Sequence, residues 1–184
     1  MYKRQPVNIE KYLLTPGPLT TSKLTKEAML RDVGSWDSDF KKITSEIREK
    51  LVNILMQTSN INKIKNSDPY ISIPMQGSGT FSVEAMLGTF VPKTNKALVL
   101  SNGSYGKRCS TILNYLGRDN DIIDMGDFLP PDPQLLEKKL EQDPHISHVI
   151  VIHCETSSGI LNPIKTISKI CLLYTSPSPR DVPW

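Results

Sequence analysis

The sequence of 184 residues predicts an α/β fold, a mostly parallel sheet with helices on both faces. Three observations carry this. Runs such as Ala97-Leu98-Val99-Leu100 and His148-Val149-Ile150-Val151-Ile152 are almost continuously apolar, as strands buried on both sides are. These runs alternate with segments whose apolar residues recur at helical spacing. Turns rich in Gly, Ser and Asn follow them.

Taken in order, Tyr12-Leu13-Leu14-Thr15-Pro16-Gly17-Pro18 is a short apolar run closed by a rigid turn. Ser22 stands where it can cap a helix reaching about residue 33. Residues 40–56 carry Ile43, Ile47, Leu51, Ile54 and Leu55 on one face, with Lys41, Lys42, Glu46, Arg48 and Glu49 on a solvated one. Residues 70–74 are a short apolar segment between turn residues and predict a buried strand. A helix over 80–90 follows Gly77-Ser78-Gly79. Residues 97–100 predict a second strand, and the turn Ser101-Asn102-Gly103-Ser104 leads into a helix over 105–116. Ile122-Ile123 is a short third strand. Asp132, in the loop Pro130-Pro131-Asp132-Pro133, is placed to cap a helix over 134–142. Residues 148–152 predict a fourth strand. Pro163 opens a last helix with Ile164, Ile167 and Ile170 on one side.

The composition, 38% hydrophobic and 22% charged, is that of a soluble globular chain. No apolar stretch approaches the ~20 residues of a membrane span, and no leader pattern is visible. Three cysteines without metal-ligand spacing point to reduced thiols and a cytoplasmic setting. Both ends differ from the rest. Residues 171–184, CLLYTSPSPRDVPW, place Pro177, Pro179 and Pro183 where neither helix nor strand continues. Residues 1–5, MYKRQ, and this tail both resemble translated sequencing-adapter DNA, so residues 6–170 are the expected protein segment and 171–184 a disordered tail. Setting aside Lys3, Arg4, Arg180 and Asp181 leaves 19 basic and 18 acidic side chains. That near balance gives no charge argument for a nucleic-acid or membrane partner.

Ligands of open α/β sheets sit beyond the carboxyl ends of the strands, where three turns carry unusual chemistry. Gly77-Ser78-Gly79-Thr80 lets backbone N–H groups and hydroxyls meet an anion at a helix start. A plain tight turn explains the same four residues equally well. Asn102-Gly103-Ser104-Tyr105-Gly106-Lys107-Arg108 brings an aromatic ring to the same edge, where it either stacks on a planar ligand or serves the core. His153-Cys154-Glu155-Thr156-Ser157-Ser158-Gly159 needs partners for its polar side chains, from a ligand or from the turn itself. His153 lacks a second ligand at metal spacing and reads as an orienting residue. Cys154 reads as a small buried residue. His145 and His148 lie at the opposite edge.

The ordered series TPGPLTTS, WDSDF, QGSGTF, SNGSYGKR and HCETSSGILNPI resembles the class V aminotransferases, fold type I pyridoxal-phosphate enzymes, and within them the 2-aminoethylphosphonate–pyruvate transaminase family. The resemblance runs from Leu13 to about Ile170. It implies pyridoxal 5'-phosphate as cofactor. Ser78, Gly79 and Thr80 match its phosphate loop, Tyr105 the residue stacked on its ring, and Thr156 the hydroxyl beside that ring. Gly17 matches a substrate contact. Arg108 matches a family position with no assigned catalytic role.

The resemblance further implies an amine donor and pyruvate as substrates, a homodimer, and no nucleic-acid or membrane partner. It places the Schiff-base lysine, the aspartate facing the pyridinium nitrogen and the substrate-gripping arginine after Ile170. No catalytic residue is therefore expected in the chain, and Lys165 and Lys169 are ordinary helix residues. A sheet interrupted there would expose an apolar edge and favour aggregation. Two other readings stand beside it. One is an alanine–glyoxylate or serine–glyoxylate aminotransferase, which has Gly at the place of Thr15 and Trp at that of Tyr105. The other is a non-catalytic α/β domain that binds a phosphate ligand.

Overall fold

The computed structural model describes residues 12–58 and 70–175. The segment 1–5 and the last residues of the tail lie outside them. The chain divides into two units, Met1–Gln76 and Gly77–Trp184.

Among its described residues the first unit holds two helices, α1 (Lys23–Ala28) and α2 (Ser38–Thr58). The Ser22 hydroxyl accepts from the Thr25 N–H, as its position predicts. α1 stops well short of residue 33. The amides of Met29 and Leu30 turn back to the carbonyls of Lys26 and Glu27, and no α1 residue is buried to extend it. α2 covers the predicted amphipathic stretch. Around Gly17 the chain forms a tight hairpin: Leu14 bridges Leu19, and the Thr15 hydroxyl donates to the Pro18 carbonyl. The strand expected at 70–74 does not form. Its backbone has no ladder partner among the described residues. Instead the Arg48 Nε of α2 donates to the Ser72 carbonyl at 2.9 Å, and Ile71 and Ile73 stay exposed.

The second unit is the α/β body. Its elements are α3 (Gly79–Phe90), β1 (Lys96–Ser101), α4 (Ser104–Tyr115), β2 (Asn120–Asp124), α5 (Pro133–Gln142), β3 (Ile146–Val151), β4 (Cys154–Glu155), β5 (Ile160–Leu161) and α6 (Ile164–Thr175). The strands β1, β2 and β3 are parallel in the order β2-β1-β3. β4 and β5 form a separate antiparallel pair. The central strand alternates between two cores. Ala97 and Val99 pack with Leu87, Cys109, Leu113 and Ile150 on the side of α3 and α4. Leu98 and Leu100 pack with Leu136, Leu140, Ile146 and Ile167 on the side of α5 and α6. Both faces of the sheet are thus covered, which is why its strands read as unbroken apolar runs.

The Asp132 carboxylate caps α5 through the Gln134 N–H at 2.8 Å. At the amino edge of the sheet the charges pair among themselves: Lys96 with Asp143 at 2.9 Å and Asp121 at 3.5 Å, and Lys139 with Asp121 at 2.8 Å. α6 continues past Ile170 through Cys171 to Thr175, and the Tyr174 hydroxyl donates to Glu141 at 3.0 Å.

Candidate functional site

The strand order fixes where a ligand can enter. The chain leaves β1 toward β2 and then returns across it to β3, so the connections diverge at the carboxyl ends of β1 and β3. A cleft of about 270 Å³ opens there. Ser78, Gly79 and Thr80 from the start of α3 line it, with Tyr105, Arg108 and Cys109 from α4 and Ile152 from the end of β3. A larger hollow of about 460 Å³ lies in the first unit, beside α2 and residues 70–72. It holds none of the turn residues singled out by sequence, and its Arg48 is already bonded to Ser72.

The two helices that start at the cleft differ at their N-termini. At α3 the Ser78 hydroxyl accepts from the Phe81 N–H at 3.2 Å. The Gly79 and Thr80 N–H groups have no partner among the described residues. A Cβ at Gly79 would meet nothing within 4 Å, so this backbone borders open space. The Arg108 guanidinium donates to the Thr80 hydroxyl at 3.3 Å and lies 5.1 Å from the centre of the Tyr105 ring. Free N–H groups, a hydroxyl, a cation and an aromatic ring therefore meet within one cleft. Such a set suits an anionic group carried on a planar ring.

α4 is the opposite case. Its cap residue Gly103 supplies no side chain, yet its first three amides are all bonded. Ser104 N–H donates to the Ser157 hydroxyl at 2.8 Å, Tyr105 N–H to Glu155 Oε1 at 3.4 Å and Gly106 N–H to Glu155 Oε2 at 3.0 Å. The Ser157 hydroxyl also donates to Glu155 Oε1 at 2.5 Å, and its N–H at 3.3 Å. Glu155 is fully buried. Burial alone would raise its carboxyl. The bonds from the Ser157 hydroxyl and from the Gly106, Ser157 and Tyr105 amides outweigh that and hold it below the ordinary carboxylate range.

Behind these turns Asn102 and Asn162 exchange two amide bonds of 2.9 Å, and Asn162 Nδ2 also donates to the Ile152 carbonyl at 2.7 Å. Both amides are buried. They join the end of β1 to the end of β3 and the entry to α6.

Of the predicted site residues, the cleft gathers Ser78, Gly79, Thr80 and Tyr105. Thr156 is exposed on the β4–β5 turn and does not line it. Gly17 belongs to the first unit. Cys154 departs from expectation: it is exposed, because the two-residue strand β4 points Glu155 inward and its neighbour outward. The His153 ring is exposed too, while its carbonyl accepts from the Asn162 N–H at 2.7 Å. Glu155 and Asn162 are the residues sequence reasoning missed. The available signal was Gly103, a helix start without a side-chain cap.

The fold is shared with solved aminotransferases. A pyridoxamine–pyruvate aminotransferase from Mesorhizobium loti superposes with a TM-score of 0.74 at 22% identity, over 90% of this chain and 40% of that one. An alanine–glyoxylate aminotransferase from Nostoc sp. superposes with a TM-score of 0.71 at 25% identity, over 95% and 44%.

In sequence the chain is similar to proteins named 2-aminoethylphosphonate–pyruvate transaminase. The protein named 2-aminoethylphosphonate–pyruvate transaminase 1 in Paraburkholderia xenovorans (strain LB400) is 53% identical over 164 residues, 89% of this chain and 40% of that protein. The chain spans about 40% of the length of the curated relatives it matches. No protein-family model matches it. The alanine–glyoxylate relationship, held open by sequence, is present and more distant: 25% identity against 53%.

Proposed function

We propose that this chain forms the phosphate- and ring-binding part of a pyridoxal-phosphate-dependent transaminase that moves the amino group of 2-aminoethylphosphonate to pyruvate, giving phosphonoacetaldehyde and alanine. The observation that carries the reading is the unsaturated start of α3, facing the same cleft as Tyr105 and Arg108. The relatives' names supply the substrates.

In this reading the Gly79 and Thr80 amides and the Ser78 and Thr80 hydroxyls hold the cofactor phosphate, with Arg108 adding positive charge. Tyr105 would stack on the pyridine ring, and Thr156, just outside the cleft lining, would offer its hydroxyl to the ring's edge. Gly17 is the substrate-facing residue that the family assigns. Pyridoxal phosphate, when bound, supplies the electron sink that labilises bonds at the amine carbon. The protein's part is to fix the ring and exclude its rotation. Lys165 and Lys169 are exposed on α6 and take no part. The complete enzyme acts as a homodimer in the cytoplasm.

The test uses the full gene product that carries this segment. With pyridoxal phosphate it should develop visible absorbance, and with 2-aminoethylphosphonate and pyruvate it should yield equal amounts of alanine and phosphonoacetaldehyde by NMR. Amino transfer from alanine to glyoxylate without turnover of the phosphonate would reassign the donor. Absence of cofactor binding would leave a phosphate-binding domain without catalysis.

A further inference from the structure

We infer that Glu155 is a positioning residue: its buried carboxylate ties the start of α4, which carries Tyr105, to the β4–β5 turn, which carries Thr156, so that the two side chains are set as one unit. The inference rests on the reading of this face as a pyridoxal-phosphate site and adds a residue to it.

The geometry is specific. Glu155 Oε2 accepts from the Gly106 N–H, and Oε1 from the Tyr105 N–H, the Ser157 N–H and the Ser157 hydroxyl. Four donors match the acceptor capacity of a carboxylate. Among the described residues no cation takes part, so this is a helix cap supplied from 50 residues away rather than an ion pair. The other end of the residue is held as firmly. The Glu155 carbonyl accepts from the Gly159 N–H at 2.8 Å and the Ser158 N–H at 3.2 Å, which closes the turn around Thr156. Gly103 lets the two turns approach. A Cβ there would lie 2.5 Å from Glu155 Cγ and 2.4 Å from the Ser157 hydroxyl. The Tyr105 backbone therefore cannot move relative to Thr156 without breaking bonds to one buried carboxylate. By contrast, α3 and α5 take their caps from their own flanking Ser78 and Asp132.

The test compares Glu155→Gln, Glu155→Asp and Leu140→Ala in the full gene product that carries this segment. Glu155→Gln keeps the shape but turns an amide NH2 toward backbone N–H groups. Hydrogen exchange at residues 104–107 and 157–159 should accelerate together by about tenfold or more, and the visible circular dichroism of bound pyridoxal phosphate should fall roughly twofold. Glu155→Asp, with the charge on a shorter arm, should recover part of that signal. Leu140→Ala, a core truncation in α5 that lowers the melting temperature, should leave both readouts unchanged.

Should Glu155→Gln fail to fold, Ser157→Ala removes the exposed hydroxyl that joins Ser104 to Glu155 and should give the same pattern at smaller amplitude. Loss of protection confined to one turn, or an unchanged cofactor signal in both Glu155→Gln and Ser157→Ala, overturns the inference. A wild-type protein that binds no cofactor overturns the functional reading instead, and joint loss of protection would still support the coupling.

Discussion

Gly106 and Gly88 allow one substitution to be predicted with opposite signs. Both lie in helices, and both are replaced by alanine. At Gly106 a Cβ would lie 2.9 Å from the Ser101 Cα, a backbone atom, and 2.8 Å from its Oγ. Ordinary contact begins near 3.4 Å, so α4 must move away from β1 by about half an ångström. Such overpacking costs about 1–3 kcal/mol, against at most ~1 kcal/mol of helix preference for alanine, and leaves a net loss centred near ~1 kcal/mol and reaching about 2 kcal/mol.

At Gly88 the nearest atom to a Cβ is Leu116 Cδ1, at an ordinary 3.6 Å. There the helix preference acts alone, and alanine should stabilise by about 0.5–1 kcal/mol. Urea unfolding of the two variants should thus move the midpoint in opposite directions, with a gap of about 2 kcal/mol at a common slope. A Gly106→Ala midpoint equal to or above that of wild type would refute the close-approach argument.

Three further outcomes follow from the same structure. Asn102→Ala and Asn162→Ala should each cost about 1–3 kcal/mol by stranding a buried amide, and the double variant should cost less than their sum, as a double-mutant cycle measures. Stability should fall as pH drops through the ordinary carboxylate range. Glu155, Asp121 (through Lys139 first) and Asp143 (through Lys96 first) all hold their carboxyls low, so their contribution is complete above that range and lost below it. Lys96, raised chiefly by its bond to Asp143, contributes fully below its ordinary value and loses this as pH rises through the folded one. Unfolding curves across pH should show Glu155→Gln flattening the acid limb and Lys96→Met the alkaline limb. In native protein a thiol reagent should label exposed Cys154 at least ~100-fold faster than Cys109, whose burial raises its thiol and demands a local opening of about 3 kcal/mol.

Elements whose partners are adjacent in sequence were the legible ones. The runs at 97–100 and 148–152 announced themselves because both faces of β1 and β3 meet helices. Asp132 declared its helix because a cap acts over two residues. The segment at 70–74 carried the same apolar signal without a strand beside it, and strand formation is decided by the neighbour. At the site, the Gly77-Ser78-Gly79-Thr80 turn and Tyr105 were readable as local chemistry. Glu155 was not, since its meaning lies in amides 49 and 50 residues earlier. Nor was Asn162, whose partner Asn102 is 60 residues away.

The placement of β1 also governs how the α/β unit comes apart. Its odd residues complete one apolar layer and its even residues the other, and it pairs with both neighbouring strands. Peeling off either layer of helices exposes side chains of the strand that the opposite layer needs in place. Neither half can persist as a partly assembled form, so the sheet and its two coats should be gained or lost in a single cooperative transition.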